Sequence, residues 1–481
     1  VAPSWHRGSL MAAALLLHLG SPAIRAWHGG GTRPARLPPS RSFAPRCDLF
    51  APPTTPAADR ERVMLDWLQD NGVYISSQST WGRPAHPMRV ESDTVEDFEP
   101  AGRGLIARKS ILQGEAVMQI NMKFVMTKER AQAVLGKQVV PDTMGEYIAI
   151  ALLLMHERLQ GAASFWAPYI DLLPSSEEVG CSFSWSDEEL EFLEGSSAVA
   201  AARSLQAKVS NEYASLSEST LAPNAALFPA ERYTFELFEW AMVMLFSRGI
   251  SLREADCLAL VPYADLLNHS PYSQSYFMSN KLTFSDEWEV VLYADRAFAK
   301  DDQVLVSYGQ KSNAELLLLY GFVVDRNLFD EVELAVGLSP DDPRYVEKTD
   351  FLAQQGLGER LSFPLLIDRY SSELLQYLRL CCVTPADGPL DSMAYNERIS
   401  SSNERAALTI ILDGCYDALD GYPQTEEEDA ALMENGRLFT ALPRNARMAI
   451  KLRRNEKRIL LRTIRVCEAA LQAEERMNSV L

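Results

Sequence analysis

The segment that most constrains the fold is residues 261–271 (VPYADLLNHSP), an apolar run that ends in the polar pair Asn268 and His269. Roughly forty residues later, the strand-like sequence 303–307 (QVLVS) ends in Tyr308 and Gly309. Apolar runs of this kind become buried, and polar groups at their ends must find hydrogen-bonding partners there. The two segments together therefore predict a site built on buried elements.

Further motifs follow one another in a fixed order along the chain. They are 102–105 (GRGL) with 114–115 (GE), then 165–174 (FWAPYIDLLP), 246–248 (FSR), 265–270 (DLLNHS), and 308–309 (YG) followed by 311–323 (KSNAELLLLYGFV). In this order they resemble the SET-domain protein methyltransferases, in particular the plant group typified by the Rubisco large-subunit lysine methyltransferase. The resemblance covers roughly residues 100–325.

This resemblance implies an α+β fold with three parts. We expect a targeting presequence over residues 1–58 and a SET domain over 59–330, in which small sheets and a pseudoknot are interrupted by a helical insert at about 125–245. An all-α C-terminal domain over 331–481 is expected to bind the protein substrate.

Periodicity along the chain predicts the individual elements. Strands are predicted at 104–107 and 116–120, paired as a small hairpin, and at 288–294 and 303–307. Ser312 and Glu315 have the spacing of a capping box that opens a short helix. Helices are predicted at 59–80, 144–159, 198–217, 233–246, and near 362–381, 402–419, 426–438 and 442–478.

The charge balance limits the classes of ligand. The chain has 46 basic and 65 acidic residues, and without residues 1–58 it has 40 and 64. Nucleic-acid binding depends on clustered cations, so a surface this acidic argues against a nucleic acid as the main ligand. The acidity is compatible with basic protein substrates, although solubility alone explains much of it.

The seven cysteines are scattered and contain no C-x-x-C pair, which is typical of a reducing compartment and predicts neither a zinc site nor a disulfide framework.

The N-terminal region has the composition of a targeting signal. Residues 10–19 form a short apolar run after Arg7, and residues 25–58 are rich in Arg, Ser, Pro and Ala with Asp48 as the only acid. This resembles the two-part presequence of algae whose plastids have extra membranes, so we expect a mature protein in the plastid stroma that is monomeric and not bound to a membrane. The alternatives are an N-terminal extension without a targeting role and a cytoplasmic protein.

A methyltransferase of this class moves a methyl group from S-adenosylmethionine to an amine by in-line displacement. The acceptor lysine must be neutral to attack, and burial in an apolar channel lowers its pKa from about 10.4. The enzyme must therefore align, desolvate and deprotonate its acceptor, and it needs no metal.

The resemblance assigns roles to particular residues. Tyr308 matches the catalytic phenol that orients the amine, and Asn313 lies in register with the family motif. Cofactor contacts are expected at Gly104, Glu115, Ala116, Val117, Arg248, Asn268 and His269, and substrate contacts at Arg248, Asp265 and Tyr320. The family often continues its Ser-Arg motif as SRAFSR, whereas residues 247–252 read SRGISL and lack the second basic residue. This departure bears on the identity of the substrate.

Each motif also has a plain structural interpretation. Taken alone, the glycine-rich motif is typical of a surface turn, Asn268 and His269 of a hydrogen-bonded turn, Arg248 of a salt bridge, and Tyr308 of a tyrosine that packs at a strand end.

Three other functions compete with lysine methylation. Asp265, His269 and Ser270 contain the residue types of a hydrolase triad, but the chain has no G-x-S-x-G elbow. Histidine methylation by the same fold and a non-catalytic SET-fold module that holds a protein are the remaining alternatives. By resemblance, the candidate protein substrates are the Rubisco large subunit and fructose-bisphosphate aldolase.

Overall fold

The computed structural model describes residues 56–79, 84–96, 99–281 and 288–480. Nearly all of the segment interpreted as a presequence, residues 1–58, lies outside these described residues. All residues assigned above to catalysis, cofactor binding or substrate binding lie within them.

The described strands and helices have the following bounds. The strands are β1 (Met88–Glu96), β2 (Glu99–Ala107), β3 (Ala116–Asn121), β4 (Ile250–Leu252), β5 (Cys257–Ala259), β6 (Asn268–His269), β7 (Phe277–Lys281), β8 (Trp288–Tyr293), β9 (Gln303–Val306), β10 (Glu331–Gly337) and β11 (Arg360–Leu366). The helices are α1 (Ala57–Asp70), α2 (Lys128–Leu135), α3 (Glu146–Gln160), α4 (Ala167–Ile170), α5 (Ser176–Val179), α6 (Asp187–Leu190), α7 (Ala198–Leu216), α8 (Phe235–Arg248), α9 (Asn313–Tyr320), α10 (Tyr345–Gln354), α11 (Ser372–Cys381), α12 (Ser401–Asp420), α13 (Glu426–Glu434), α14 (Gly436–Ala441) and α15 (Arg444–Val480).

The described chain divides into two compact units. One contains residues up to 179 together with 207–308, and the other contains 180–206 together with the residues from 309 onward. The sequence-based boundaries at residues 58 and 330 stay a prediction, since compact units need not coincide with family domains.

The unit that ends at Tyr308 contains a four-stranded sheet in the order β1-β2-β9-β6. β2 pairs with β9 in antiparallel register, with Leu105 opposite Val304. β6 lies parallel to β9, with His269 opposite Val306, and this parallel pair joins segments far apart in sequence. The pairing brings Asn268 and His269 beside the end of β9, two residues before Tyr308.

The hairpin predicted for residues 102–120 is wrong. β2 pairs with β1 and β9, whereas β3 pairs with β8 in the separate sheet β3-β8-β7, with Ile120 opposite Val290. Gly102, whose φ is 72°, lies opposite Thr94 at an irregularity of the β1–β2 ladder rather than in a turn between β2 and β3. The alternation of apolar and polar residues therefore predicted where the strands lie but not which strands pair with each other.

Helices α3 and α8 form the apolar centre of the same unit. Both were predicted from their period, and residues on nearly every face of each are buried. Such helices are hydrophobic all round because they lie inside the protein. Thr234 caps α8 by accepting a hydrogen bond from the Leu237 N–H, and the helix ends at Arg248, within one turn of its buried residues.

In the other unit, the predicted capping box opens α9. Ser312 Oγ accepts from the Glu315 N–H (3.3 Å), and Glu315 Oε2 accepts from the Ser312 N–H (3.1 Å). Gly321 ends the helix with φ of 76°, a left-handed conformation that glycine adopts without strain.

The C-terminal region is mainly helical, as predicted, and the α+β fold class is confirmed. It also contains one antiparallel pair, β10–β11, in which Leu334 lies opposite Phe363. The helix predicted near residue 362 is therefore wrong at its start, because helix α11 begins only at Ser372. Both strands bury apolar side chains in a core shared with α11, α12 and α15.

Within the described residues, none of the helices combines the length and the apolar character that crossing a bilayer requires.

Candidate active site

The first group of site residues lies at the corner where β2, β9 and β6 meet. Asn268 Nδ2 donates to Thr94 Oγ1 (3.1 Å) and to the Arg103 carbonyl oxygen (3.3 Å). Gly104 is buried against this amide: a Cβ atom at residue 104 would lie 2.9 Å from Asn268 Nδ2 and 2.8 Å from Thr94 Cγ2. The absence of a side chain at Gly104 therefore permits the position that Asn268 occupies.

His269 and Tyr308 form the second group. The Tyr308 N–H donates to His269 Nδ1 (3.0 Å), and the two rings stack with centroids 5.0 Å apart. Because Nδ1 accepts this hydrogen bond, it carries no proton. The histidine is almost completely buried, at 1% exposure, so its ring gives the tyrosine backbone a fixed anchor.

The phenol of Tyr308 is fixed at its other end as well. Its Oη donates to the Leu267 carbonyl oxygen at 2.7 Å, immediately before Asn268. With its proton donated in this bond, Oη can act toward a further group only as a hydrogen-bond acceptor or as a negative pole facing a positive charge. The predicted convergence of the segments near residues 268 and 308 is thus present in the structure.

The third group is a buried ionic cluster around Asp265. Arg248 Nη1 donates to the Asp265 carbonyl oxygen (3.0 Å) and lies 3.3 Å from Oδ2, which also accepts from Tyr169 Oη at 2.9 Å. Burial raises the pKa of Asp265, and Arg248 and Tyr169 partly oppose that rise. Burial, with the nearby Asp265 carboxylate, also raises the pKa of Tyr169 well above its usual value.

Arg103 adds a second guanidinium to this cluster. Its Nη2 donates to the Leu172 carbonyl oxygen (2.6 Å), and burial together with repulsion from Arg248 lowers its pKa. The Asp265 carboxylate acts on both guanidiniums, and Glu61 is a second carboxylate close to Arg103, so the cluster holds charges of both signs in a largely buried region. Among the described residues, the buried atoms Arg103 Nε, Arg248 Nε and Asp265 Oδ1 have no hydrogen-bond partner. A bound polar group with both a negative and a positive end would complete this cluster.

The residues predicted near the glycine-rich motif are placed differently. Glu115 lies 3.4 Å from Lys109 Nζ and accepts from the Leu112 N–H, and Ala116 and Val117 begin β3 in the second sheet. The Val117 backbone is hydrogen-bonded to His86, whose ring lies 5.8 Å from that of Tyr263. None of these contacts is with Asn268, His269 or Tyr308, so the cofactor role of the three residues stays a prediction.

Two further predicted residues belong to the other unit, which contains residues 180–206 and those from 309 onward. Tyr320 ends α9, where its ring lies 5.9 Å from Lys311 Nζ and 6.2 Å from the Phe322 ring. Asn313 is fully buried and binds Asp330 Oδ2 (2.6 Å) and the Val324 backbone, so it holds the loop after α9 in place. The substrate-channel role of Tyr320 stays a prediction.

Sequence reasoning missed Thr94, Arg103 and Tyr169. Arg103 and Tyr169 lie inside motifs that the sequence displayed, GRGL and FWAPYIDLLP, but the motifs alone gave them no role. Each acts through a partner far away in the chain, such as Asp265 for Tyr169.

Comparison with known proteins gives the family. The SET domain family matches residues 102–309, and the Rubisco LSMT substrate-binding family matches residues 339–460. The chain is 32% identical to the chloroplastic fructose-bisphosphate aldolase-lysine N-methyltransferase of Arabidopsis thaliana, over 83% of this chain and 81% of that protein. It is 31% identical to the chloroplastic Rubisco large-subunit N-methyltransferase of Nicotiana tabacum, over 75% of each. It is also 30% identical to the actin-histidine N-methyltransferase of Homo sapiens, over 84% of this chain and 67% of that protein.

Solved structures of the same group are similar to this fold. The SET domain of LSMT bound to lysine and AdoHcy has a TM-score of 0.71 and 27% identity, covering 87% of this chain and 93% of that one. Rubisco LSMT bound to AdoMet has a TM-score of 0.69 and 26% identity, covering 88% and 94%.

The fold and the buried corner define a SET-domain protein methyltransferase. Within that class, the chain belongs to the Rubisco large-subunit methyltransferase-like family, the S-adenosylmethionine-dependent protein-lysine N-methyltransferases. Its cofactor is S-adenosylmethionine and its acceptor is a protein.

The donor set of the site fits this cofactor. S-adenosylmethionine carries a carboxylate and an ammonium on its amino-acid end, and the Arg103–Asp265–Arg248 cluster offers unmatched polar atoms of both signs in a buried setting. Asn268 and His269, fixed at the β6–β9 corner, add hydrogen-bonding groups beside it.

Proposed function

We propose that this enzyme methylates the ε-amino group of a lysine on a folded plastid protein, with Tyr308 at the reacting nitrogen. The observation that carries the proposal is the double anchoring of Tyr308, through its N–H on His269 Nδ1 and its Oη on the Leu267 carbonyl. A phenol fixed at both ends is suited to a reaction that depends mainly on alignment.

When bound, S-adenosylmethionine supplies an electrophilic methyl group on a sulfonium. The residues of the chain have to present a neutral amine in line with that group and keep water away. Since the Tyr308 proton is donated to Leu267, the phenol oxygen accepts a hydrogen bond from one of the two N–H groups of the neutral amine, which orients the nitrogen lone pair. The same oxygen then stabilises the positive charge that develops on the nitrogen during transfer.

The other site residues hold and position the reactants. Asn268, His269, Gly104 and Arg248 are proposed to bind the cofactor, and Asp265 keeps Arg248 in place through two hydrogen-bonded contacts. The roles of Glu115, Ala116 and Val117 as cofactor contacts, of Asp265 as a substrate-side acid and of Tyr320 as a channel aromatic rest on the family resemblance.

The Rubisco large subunit and fructose-bisphosphate aldolase are the proposed substrates, because similar proteins are named for methylating them. The chloroplastic relatives and the composition of residues 1–58 support a stromal location after removal of the presequence. A monomer without a membrane anchor is the proposed mature form.

A histidine acceptor is the second candidate, favoured by the similarity to actin-histidine N-methyltransferases over much of this chain. The two acceptors differ in the residue that carries the added methyl group. Peptide mapping by mass spectrometry of the methylated protein therefore separates them directly.

The decisive experiment incubates the mature protein with labelled S-adenosylmethionine and either a plastid extract, purified Rubisco or purified aldolase. We expect label on a lysine, and we expect Tyr308→Phe to lower kcat by at least about 100-fold, as loss of a positioned catalytic group does. Tyr345→Phe is the matched control, because it removes, in the other unit, a phenol hydroxyl that donates to Glu359.

An unchanged kcat in Tyr308→Phe would exclude the proposed role of the phenol. Binding of S-adenosylmethionine without transfer to any of these proteins would favour a non-catalytic SET-fold module instead.

A further inference from the structure

The last helix, α15, is basic in an acidic protein. Its 37 residues carry ten basic and four acidic side chains, whereas the rest of the chain has 36 basic and 61 acidic ones. A cationic element in such surroundings has an abundance of carboxylates available as partners.

The buried cations of α15 do find partners. Lys457 Nζ lies 2.6 Å from Asp429 Oδ2, and Arg453 contacts the other oxygen of that carboxylate at 3.4 Å. Arg454, farther out, is 3.0 Å from Glu426. These pairs attach α15 to α13 and explain why charges can be buried there.

Arg458, Arg462 and Arg465 behave differently. All three are exposed, and among the described residues none of them forms an ion pair or a hydrogen bond. Spacings of four and three residues put them on one face of the helix, over about 10 Å of its length. Glu468, on the next turn, bonds Tyr416 of α12. We call these three residues the arginine stripe.

Like charges at these spacings destabilise an isolated helix by about 0.2–0.5 kcal/mol per pair. The helix keeps them although no ion pair in the described part of the chain offsets this repulsion. A solvated helix face would ordinarily mix acidic and basic residues, as the surface of the rest of this chain does.

We propose that the arginine stripe is a docking surface for an acidic face of the folded protein substrate. This inference rests on the proposed function and adds to it the surface that receives the substrate. Arginine suits this role because its planar guanidinium binds carboxylates through two parallel hydrogen bonds.

Charge complementarity favours this occupant over others. The acidic remainder of the enzyme repels an acidic partner in most orientations, so attraction confined to the stripe selects the orientation of approach. The length of the stripe is comparable to the screening length of about 8 Å at physiological salt, so the attraction is local. A long polyanion such as a nucleic acid would extend past the stripe into acidic surroundings.

The test compares the triple variant Arg458→Glu, Arg462→Glu and Arg465→Glu with a control that changes net charge equally. The control replaces Arg203, Arg405 and Arg437 by Glu; all three are exposed arginines on other helices of the same unit. Purified Rubisco holoenzyme and aldolase serve as folded substrates. A short synthetic peptide that contains the target lysine in its unmethylated form serves as the minimal substrate.

For the stripe variant, we expect KM for the folded substrate to rise about tenfold, as loss of several interfacial ion pairs does, and its dependence on salt to become weaker. We expect kcat, peptide methylation and the affinity for S-adenosylmethionine to remain at wild-type values. Replacement of the same three arginines by Lys should preserve much of the wild-type KM, because it keeps the charge.

An unchanged KM in the stripe variant, or an equal rise in the control variant, would overturn the docking surface. Two other results would overturn it if the stripe variant kept its KM. One is that the wild-type enzyme binds vesicles containing phosphatidylserine and the variant does not. The other is that the wild-type enzyme dimerises in sedimentation and the variant does not. Failure of the wild-type enzyme to methylate any protein would instead refute the proposed function.

Discussion

Replacement of Gly104 by Ala tests the corner on which the site depends. The new Cβ would lie 2.9 Å from Asn268 Nδ2, 2.8 Å from Thr94 Cγ2 and 3.2 Å from Gln303 Oε1. Atoms this close must move apart, and the terminal amide of Asn268 is the group that moves most easily. We therefore expect Asn268 to swing out of the corner.

The size of the effect follows from the contacts that Asn268 would lose. It donates to Thr94 Oγ1 and to the Arg103 carbonyl, and two such hydrogen bonds contribute about 1–3 kcal/mol together. If the cofactor requires the displaced amide to return, the clash opposes binding by a similar amount. The affinity for S-adenosylmethionine should then fall by about 5- to 150-fold.

Isothermal titration with S-adenosylmethionine and S-adenosylhomocysteine measures this loss without requiring turnover. Gly436→Ala is the matched control, because a Cβ at residue 436 would meet open space. Thermal unfolding should show a lower Tm for Gly104→Ala, because Asn268 loses its two hydrogen bonds and Thr94 must also move away from the new Cβ. A cofactor affinity within twofold of the wild-type value would refute the reasoning that links Gly104 to Asn268.

Two further substitutions test the buried polar groups. Tyr169→Phe removes a hydrogen bond that lowers the pKa of Asp265, so the acid limb of the pH–activity profile should move to higher pH. The free energy of unfolding should fall by about 1–3 kcal/mol, because the buried carboxylate loses a partner. An acid limb at the wild-type pH would contradict this prediction. Burial raises the pKa of Glu456 to about 7, from 4.5, although Ser196 and Tyr422 bond it at 2.7 and 2.9 Å. The folded state then retains a proton that the unfolded state releases, so the stability contributed by this group is full below about pH 4.5 and declines by up to about 3 kcal/mol as the pH rises through 7. Glu456→Gln should remove this decline, which makes the variant more stable relative to wild type at pH 8 than at pH 5. An equal difference in Tm at the two pH values would contradict it.

Local signals were read correctly from the sequence. The capping box of Ser312 and Glu315 and the buried helices α3 and α8 all depend on residues within one or two turns of each other. Such features are visible in a short window of sequence. The position of Tyr308 and the pair Asn268 and His269 at strand ends followed from the same kind of pattern together with the family resemblance.

Features that depend on distant partners were not predicted. β2 and β3 follow each other in sequence, yet Leu105 pairs with Val304 and Ile120 with Val290. Strand alternation carries no information about which distant strand will be the partner. In the same way, nothing near Tyr169 indicates that its phenol will bond Asp265. The strand β11 contains Pro364, and its apolar content resembled that of the helix predicted there.

The parallel pairing of Asn268 and His269 with Leu305 and Val306 has a consequence for biosynthesis. A ribosome releases the chain from its N-terminus, so the GRGL segment and the asparagine–histidine pair emerge well before β9 and Tyr308. Contacts of such long sequence separation form late, after the loop between them has closed. Nascent chains that end before Tyr308 should therefore not bind S-adenosylmethionine. Binding should begin only in chains whose synthesis has passed that residue.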